Sequence, residues 1–156
     1  MERTLLMNRK FIYNNEAICG LAIVCILRHN KSLSISKVAL IAPIVFNNNL
    51  MSVFSGKTKV DSLEELLAKR GKEIIKTRDL FFNFLPLTLN SIILLKEMKI
   101  ININNGEISL ISSHQIDNWI KKSGKRAKRI EKSSYKISNI LKEADEKLYI
   151  QMRVEL

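Results

Sequence analysis

Proline, glycine and cysteine are all scarce: two, five and two residues in a chain of 156. With no internal repeat and no low-complexity linker, a single domain over 1–156 is expected, long enough to bury one core. Both cysteines fall in the apolar run Ile18 to Leu27. Six residues apart on a helix, Cys19 and Cys25 point in separate directions, which excludes a mutual disulfide or a shared metal. They read as buried free thiols, a usage suited to a reducing cytoplasm.

Long hydrophobic runs are also missing. The run Ile18 to Leu27 has ten residues before Arg28, short of the ~20 that a bilayer requires. Glu16 stands in front of it and the run starts late for a signal peptide. No membrane segment is expected. Acids are outnumbered, 15 against 26 Lys and Arg, leaving a formal net charge of +11. Such a surplus favours an anionic partner: nucleic acid, an acidic protein or a membrane surface.

Catalytic constellations are not apparent. Ser55-Gly56-Lys57-Thr58 resembles the end of a phosphate-binding loop, but Met51 occupies the place of the earlier glycine. It reads as a polar surface loop. His29 and His114 lie far apart, and with two buried cysteines they make no zinc pattern. His114 and Asp117 are spaced i and i+3, with no local nucleophile beside them. The chain is expected to be non-catalytic, with no metal and no cofactor.

What is present is mostly helical pattern. Residues 1–12 read as an arm or edge strand, followed by a buried helix from about Asn15 to Arg28, capped by Asn14 or Asn15. The apolar run Val38 to Phe46 contains Pro43, where any helix should start or kink. Asn47-Asn48-Asn49 then turns the chain. Ser62-Leu63-Glu64-Glu65 is a capping box opening a helix that should end at Gly71. Further helices are expected over Glu73 to Phe84 and, led by Pro86, over Thr88 to Met98. Two β-branched segments, Lys99 to Ile103 and Glu107 to Ile111, flank Asn104-Asn105-Gly106, a strong hairpin signal. The expected fold is therefore mainly α (α+β): a winged-helix-like core over about 14–112, then a basic helical segment over about 116–156.

The basic excess is local. Lys121, Lys122, Lys125, Arg126, Lys128, Arg129, Lys132 and Lys136 face one acid, Glu131, within sixteen residues. On a helix from about Lys125 to Leu148, Lys125, Arg129, Lys132 and Lys136 share one narrow face. Ala127, Ile130, Ser134, Ile137, Leu141, Ala144 and Leu148 fall opposite. Such a ridge suits sequence-blind contact with a double-stranded DNA backbone, or an ordinary solvated face. A DNA-reading winged helix would expose basic side chains on its recognition helix. Here that helix is Thr88 to Met98, apolar nearly all round and better suited to burial or to a partner. The hairpin tip is equally poor in charge. A winged-helix transcriptional regulator is the alternative reading.

From about Asn14 onward, the order of features resembles the small middle component of three-component ABC-type systems. The resemblance is carried by the early helix after Asn14-Asn15-Glu16-Ala17, the Pro43-containing run, and Leu85 to Leu95 led by Pro86. Met98-Lys99-Ile100-Ile101 running into the hairpin and the basic stretch before the C-terminal helix complete it. Where that family usually ends on a glycine-valine step, this chain has Met152-Arg153-Val154. The resemblance implies a cytoplasmic adaptor between a coiled-coil ATPase subunit of the structural-maintenance-of-chromosomes (SMC) type and an effector, often a nuclease. Anti-phage defence operons of the Lamassu kind are among such systems.

Overall fold

A computed structural model describes the backbone of residues 2–155 and the side chains from Asn15 to Glu155. The chain is mainly helical, with one small antiparallel sheet. Helix α1 (Glu2–Leu27) runs unbroken through Asn14 and Asn15. The expected arm over 1–12 and the asparagine cap are therefore corrected; the side chains of 1–14 lie outside the described residues. From Cys19 to Leu27 every residue is buried, so this segment forms the central post of the core. Helices α5 (Leu63–Glu97) and α7 (Gly124–Ile140) pack against it.

Strand β1 (Leu33–Ser34) leads into α2 (Ile35–Ala39), whose cap is the Ser34 hydroxyl accepting from Lys37 N at 3.2 Å. Helix α3 (Ile41–Val45) begins two residues before Pro43. The proline thus sits in the first turn, where backbone N–H groups have no helical partner to lose. Asn47 does not simply turn the chain: its carboxamide oxygen accepts from Leu50 N at 3.3 Å and caps α4 (Asn48–Ser55), a helix the sequence pattern did not suggest.

Ser62 caps α5 as expected, accepting from Glu65 N at 3.2 Å, while the Glu65 carboxylate reaches back to Asp61 N at 3.0 Å. The helical break expected at Gly71 falls one residue earlier, at Arg70, where two helical segments meet at a kink, whereas Pro86 does not interrupt the second segment. Arg70 itself is non-helical (φ −142°, ψ 38°), so the 35 residues of α5 comprise a short segment before the kink and a longer one after it. Pro86 leaves the Phe82 carbonyl without its helical donor, but both residues lie on an exposed face where water supplies one. By length and composition α5 is long and apolar enough to cross a membrane, a candidate that the unbroken apolar runs of the sequence do not reveal. One face of α5 is nonetheless buried, with Thr88, Ser91, Ile92 and Leu95 turned inward.

Strands β2 (Ile101–Asn104) and β3 (Glu107–Leu110) pair as expected, Asn104 opposite Glu107. Asn105 (φ 49°) and Gly106 (φ 77°) form the two-residue turn, both in the left-handed region that type I′ requires. β1 adds to the other edge of β3, Leu33 opposite Ile108, giving the order β1-β3-β2.

Helix α6 (Ile116–Lys122) precedes α7, with Gly124 (φ 81°) at the junction. The single long C-terminal helix is another correction. α7 stops at Ile140, and α8 (Asp145–Gln151) follows after four non-helical residues. The reason is tertiary: the Asp145 carboxylate accepts from the hydroxyls of Ser34 and Ser36, and pairs with Lys37 at 3.6 Å. Tyr149 Oη donates to the Ser36 carbonyl at 2.7 Å. Ala144, assigned to the apolar stripe, is exposed at the break.

Candidate anion-binding face on α6 and α7

Helix α7 buries Ala127, Ile130, Ser133, Ser134, Ile137 and Ile140 against α1, α4 and α6. Its opposite side carries the basic residues, but they divide into two groups. Arg129 Nε donates to Ser55 Oγ at 3.2 Å, and its terminal nitrogen to Ser52 Oγ at 3.1 Å. Lys136 Nζ donates to the carbonyls of Gly56 and Thr58 at 2.8 and 3.0 Å. These two side chains bind α7 to α4 and to the loop that follows it. The Ser55-Gly56-Lys57-Thr58 segment accordingly presents carbonyl acceptors to a lysine. Arg126 stacks its guanidinium over Phe46, 4.7 Å from the ring centroid, and Phe46 is itself stacked on Phe84.

The other five, Lys121, Lys122, Lys125, Lys128 and Lys132, are exposed, and the described residues supply none of them with an ion-pair or hydrogen-bond partner. Lys121 and Lys122 lie in the last turn of α6, where the helix dipole favours cations. The structure thus brings the eight residues onto neighbouring turns of two helices and leaves five of them free to meet an anion. The narrow four-residue ridge is reduced to Lys125 and Lys132, because Arg129 and Lys136 have structural partners.

Nearby titratable groups are mostly neutralised internally. Arg28 pairs with Asp117 at 2.6 Å and approaches Glu131 at 4.0 Å. His29 Nε2 lies 3.0 Å from Ser134 Oγ; burial, then the charges of Arg28 and Lys142, hold its pKa below the usual histidine value. Cys19 and Cys25 are free and buried, and burial pushes their thiols up to about 11 and about 12. Among the described residues no group of three or more His, Cys, Asp or Glu could hold a metal ion.

A second surface had no place among the basic candidates. Helix α5 exposes Ile75, Phe82, Leu89 and Ile93, and its C-cap residue Met98 is exposed too. The signal for it was the all-round apolar character of Thr88 to Met98, which fits burial or a partner equally well.

No curated protein and no solved structure matches the chain. One family model does, over residues 10–156: Middle Component 3 of the ABC-three component (ABC-3C) systems. With that match spanning nearly the whole sequence, the chain belongs to the Middle Component 3 family of ABC-three component systems.

Proposed function

We propose that this chain is a non-catalytic adaptor that holds an SMC-type coiled-coil ATPase and a nuclease-type effector together in a cytoplasmic anti-phage complex of the Lamassu kind. The observation that carries the reading is membership of a middle-component family. A middle component implies partner subunits, and the fold offers two surfaces for them: the lysines of α6 and α7 and the apolar face of α5. In this division of labour, ATP hydrolysis and strand cleavage belong to the partners. The five free lysines contact duplex backbone without reading sequence, so binding weakens steeply as salt is added.

A winged-helix regulator is the second reading. It is favoured by the strand order β1-β3-β2, in which a hairpin follows directly on a long helix. Against it, Leu89, Ile93, Leu94 and Met98 occupy much of the exposed surface near the end of that helix and cannot hydrogen-bond to base edges. No arginine stands among its exposed polar residues there, Asn90, Lys96 and Glu97.

Co-expression with the products of the neighbouring genes distinguishes the two. A stable complex with a large ATPase is expected. A sequence-specific, DNA-bound dimer of this chain alone would reject the adaptor.

A further inference from the structure

Helix α5 is built like one half of a helix pair. Ile75, Phe82, Leu89 and Ile93 are 45, 54, 46 and 54 % exposed. Their spacings of seven, seven and four residues place them on one line, with Pro86 on the same line. From Ile75 to Ile93 this seam is about 27 Å long at 1.5 Å per residue. At its N-terminal end it opens into a cleft of about 600 Å³ between α5 and α8, lined by Leu67, Ile74, Ile75, Ile150 and Met152. Ile150 is 75 % exposed there. Gln151, also in that lining, has a buried carboxamide oxygen with no donor among the described residues.

The charges beside the seam have a clear sign. Lys72, Lys76, Arg78, Lys96 and Lys99 are exposed along α5 and its C-cap, and Arg153 stands at the cleft. Three acids, the half-buried Glu73 and the exposed Asp79 and Glu97, oppose them along this stretch, so the balance stays positive. A narrow apolar seam with basic flanks fits a single amphipathic helix with acidic flanks. A second copy of this chain would bring the same basic flanks against themselves. The chain's own residues 1–14 carry Arg3, Arg9 and Lys10 against Glu2, so they too have the wrong charge.

We infer that the α5 seam, continued by the α5–α8 cleft, is the docking site for an acidic amphipathic helix, about 18 residues long, of another subunit of the three-component system. This deepens the adaptor reading and rests on it.

The test uses the tagged full-length chain co-expressed with the other two components. Two double variants are compared with wild type: Phe82→Asp with Ile93→Asp, and Lys76→Glu with Arg78→Glu. All four positions are exposed, and thermal melts confirm that each variant folds. Both variants should lower partner retention at least tenfold, and wild-type retention should fall between 0.15 and 0.5 M salt. Unchanged retention in both variants would overturn the docking site while leaving the adaptor standing. If wild type retains neither component, the adaptor reading fails and the inference falls with it. Three further results assign the seam to a different occupant and overturn the proposal. One is a dimer of the isolated chain that Phe82→Asp with Ile93→Asp dissociates in sedimentation. Another is binding to phosphatidylglycerol vesicles that the same variant abolishes. The last is an immobile nitroxide at Phe82→Cys in the isolated monomer, which assigns the seam to residues 1–14.

Discussion

Two helix ends show how much can rest on one backbone angle. Lys99 (φ 58°) and Arg153 (φ 54°) both lie in the left-handed region. At each, the flanking amides close the last turn: Ile100 N to Leu95 O and Lys99 N to Lys96 O, both 3.0 Å, and Val154 N to Tyr149 O at 3.0 Å and Arg153 N to Ile150 O at 3.1 Å. This is the arrangement in which glycine is normally the turning residue. Arg153 stands where the family resemblance leads one to expect that glycine, and its side chain is exposed. Replacing Arg153 by Gly should therefore raise stability by about 0.5–1 kcal/mol, read as a higher urea midpoint. A loss would show that the arginine side chain contributes more than its backbone costs. The thiols make a second residue-scale case. Buried, with pKa values pushed to about 11 and about 12, Cys19 and Cys25 should resist iodoacetamide at pH 8 until denaturant is added. Labelling at the unfolded rate in buffer would contradict the packing of α1.

Asp145 links the residue to the element. Burial alone would raise its pKa, but the hydroxyls of Ser34 and Ser36 and the charge of Lys37 outweigh that and hold it below the usual carboxylate range. Its stabilising contribution is thus present above the unfolded pKa, near 4, and is lost as pH falls through the lower folded value. Asp145→Asn should cost about 1 kcal/mol at pH 7, modest because the side chain is partly exposed. The penalty should shrink below pH 4 in acid titrations; a pH-independent penalty would mean that shape, not charge, matters there. The same bond network explains the largest error of sequence reading. Nothing near Leu141 forbids a helix continuing to Leu148, and the break follows from partners over a hundred residues away. Local signals fared better: the Ser62 cap and the Asn105-Gly106 turn were legible because each is decided within four residues. The two-residue strand β1 was not, since its only signature is pairing with Ile108 and Glu107. In α5, the stop expected at Gly71 was legible, since the backbone leaves helical geometry at the adjacent Arg70, whereas Pro86 sits on an exposed face and does not break the helix. The basic ridge was half legible. Charge and phase were correct, whereas the acceptors that occupy Arg129 and Lys136 lie on α4 and its following loop. Arg129→Ala should accordingly destabilise by about 1 kcal/mol. Lys125→Ala and Lys132→Ala should each stay within about 0.5 kcal/mol in the same melts. Equal losses for all three would contradict the division of the ridge.

At the scale of the whole molecule, the chain combines a buried helical post, a basic face and an exposed apolar seam, as suits one component of a three-component system. Duplex affinity, where present, should belong to the five free lysines. Lys125→Ala with Lys132→Ala should reduce the slope of log affinity against log salt by about 2, while leaving sequence preference unchanged. An unaltered slope would move the anion contact elsewhere. The adaptor claim itself is tested most directly by one measurement: the mass of the complex purified through a tag on this chain after co-expression with its neighbouring genes. The predicted result is a single species containing the ATPase, the effector and this subunit, which loses the effector or the ATPase when this subunit is left out. A complex of ATPase and effector that forms with undiminished stability without this chain would contradict it.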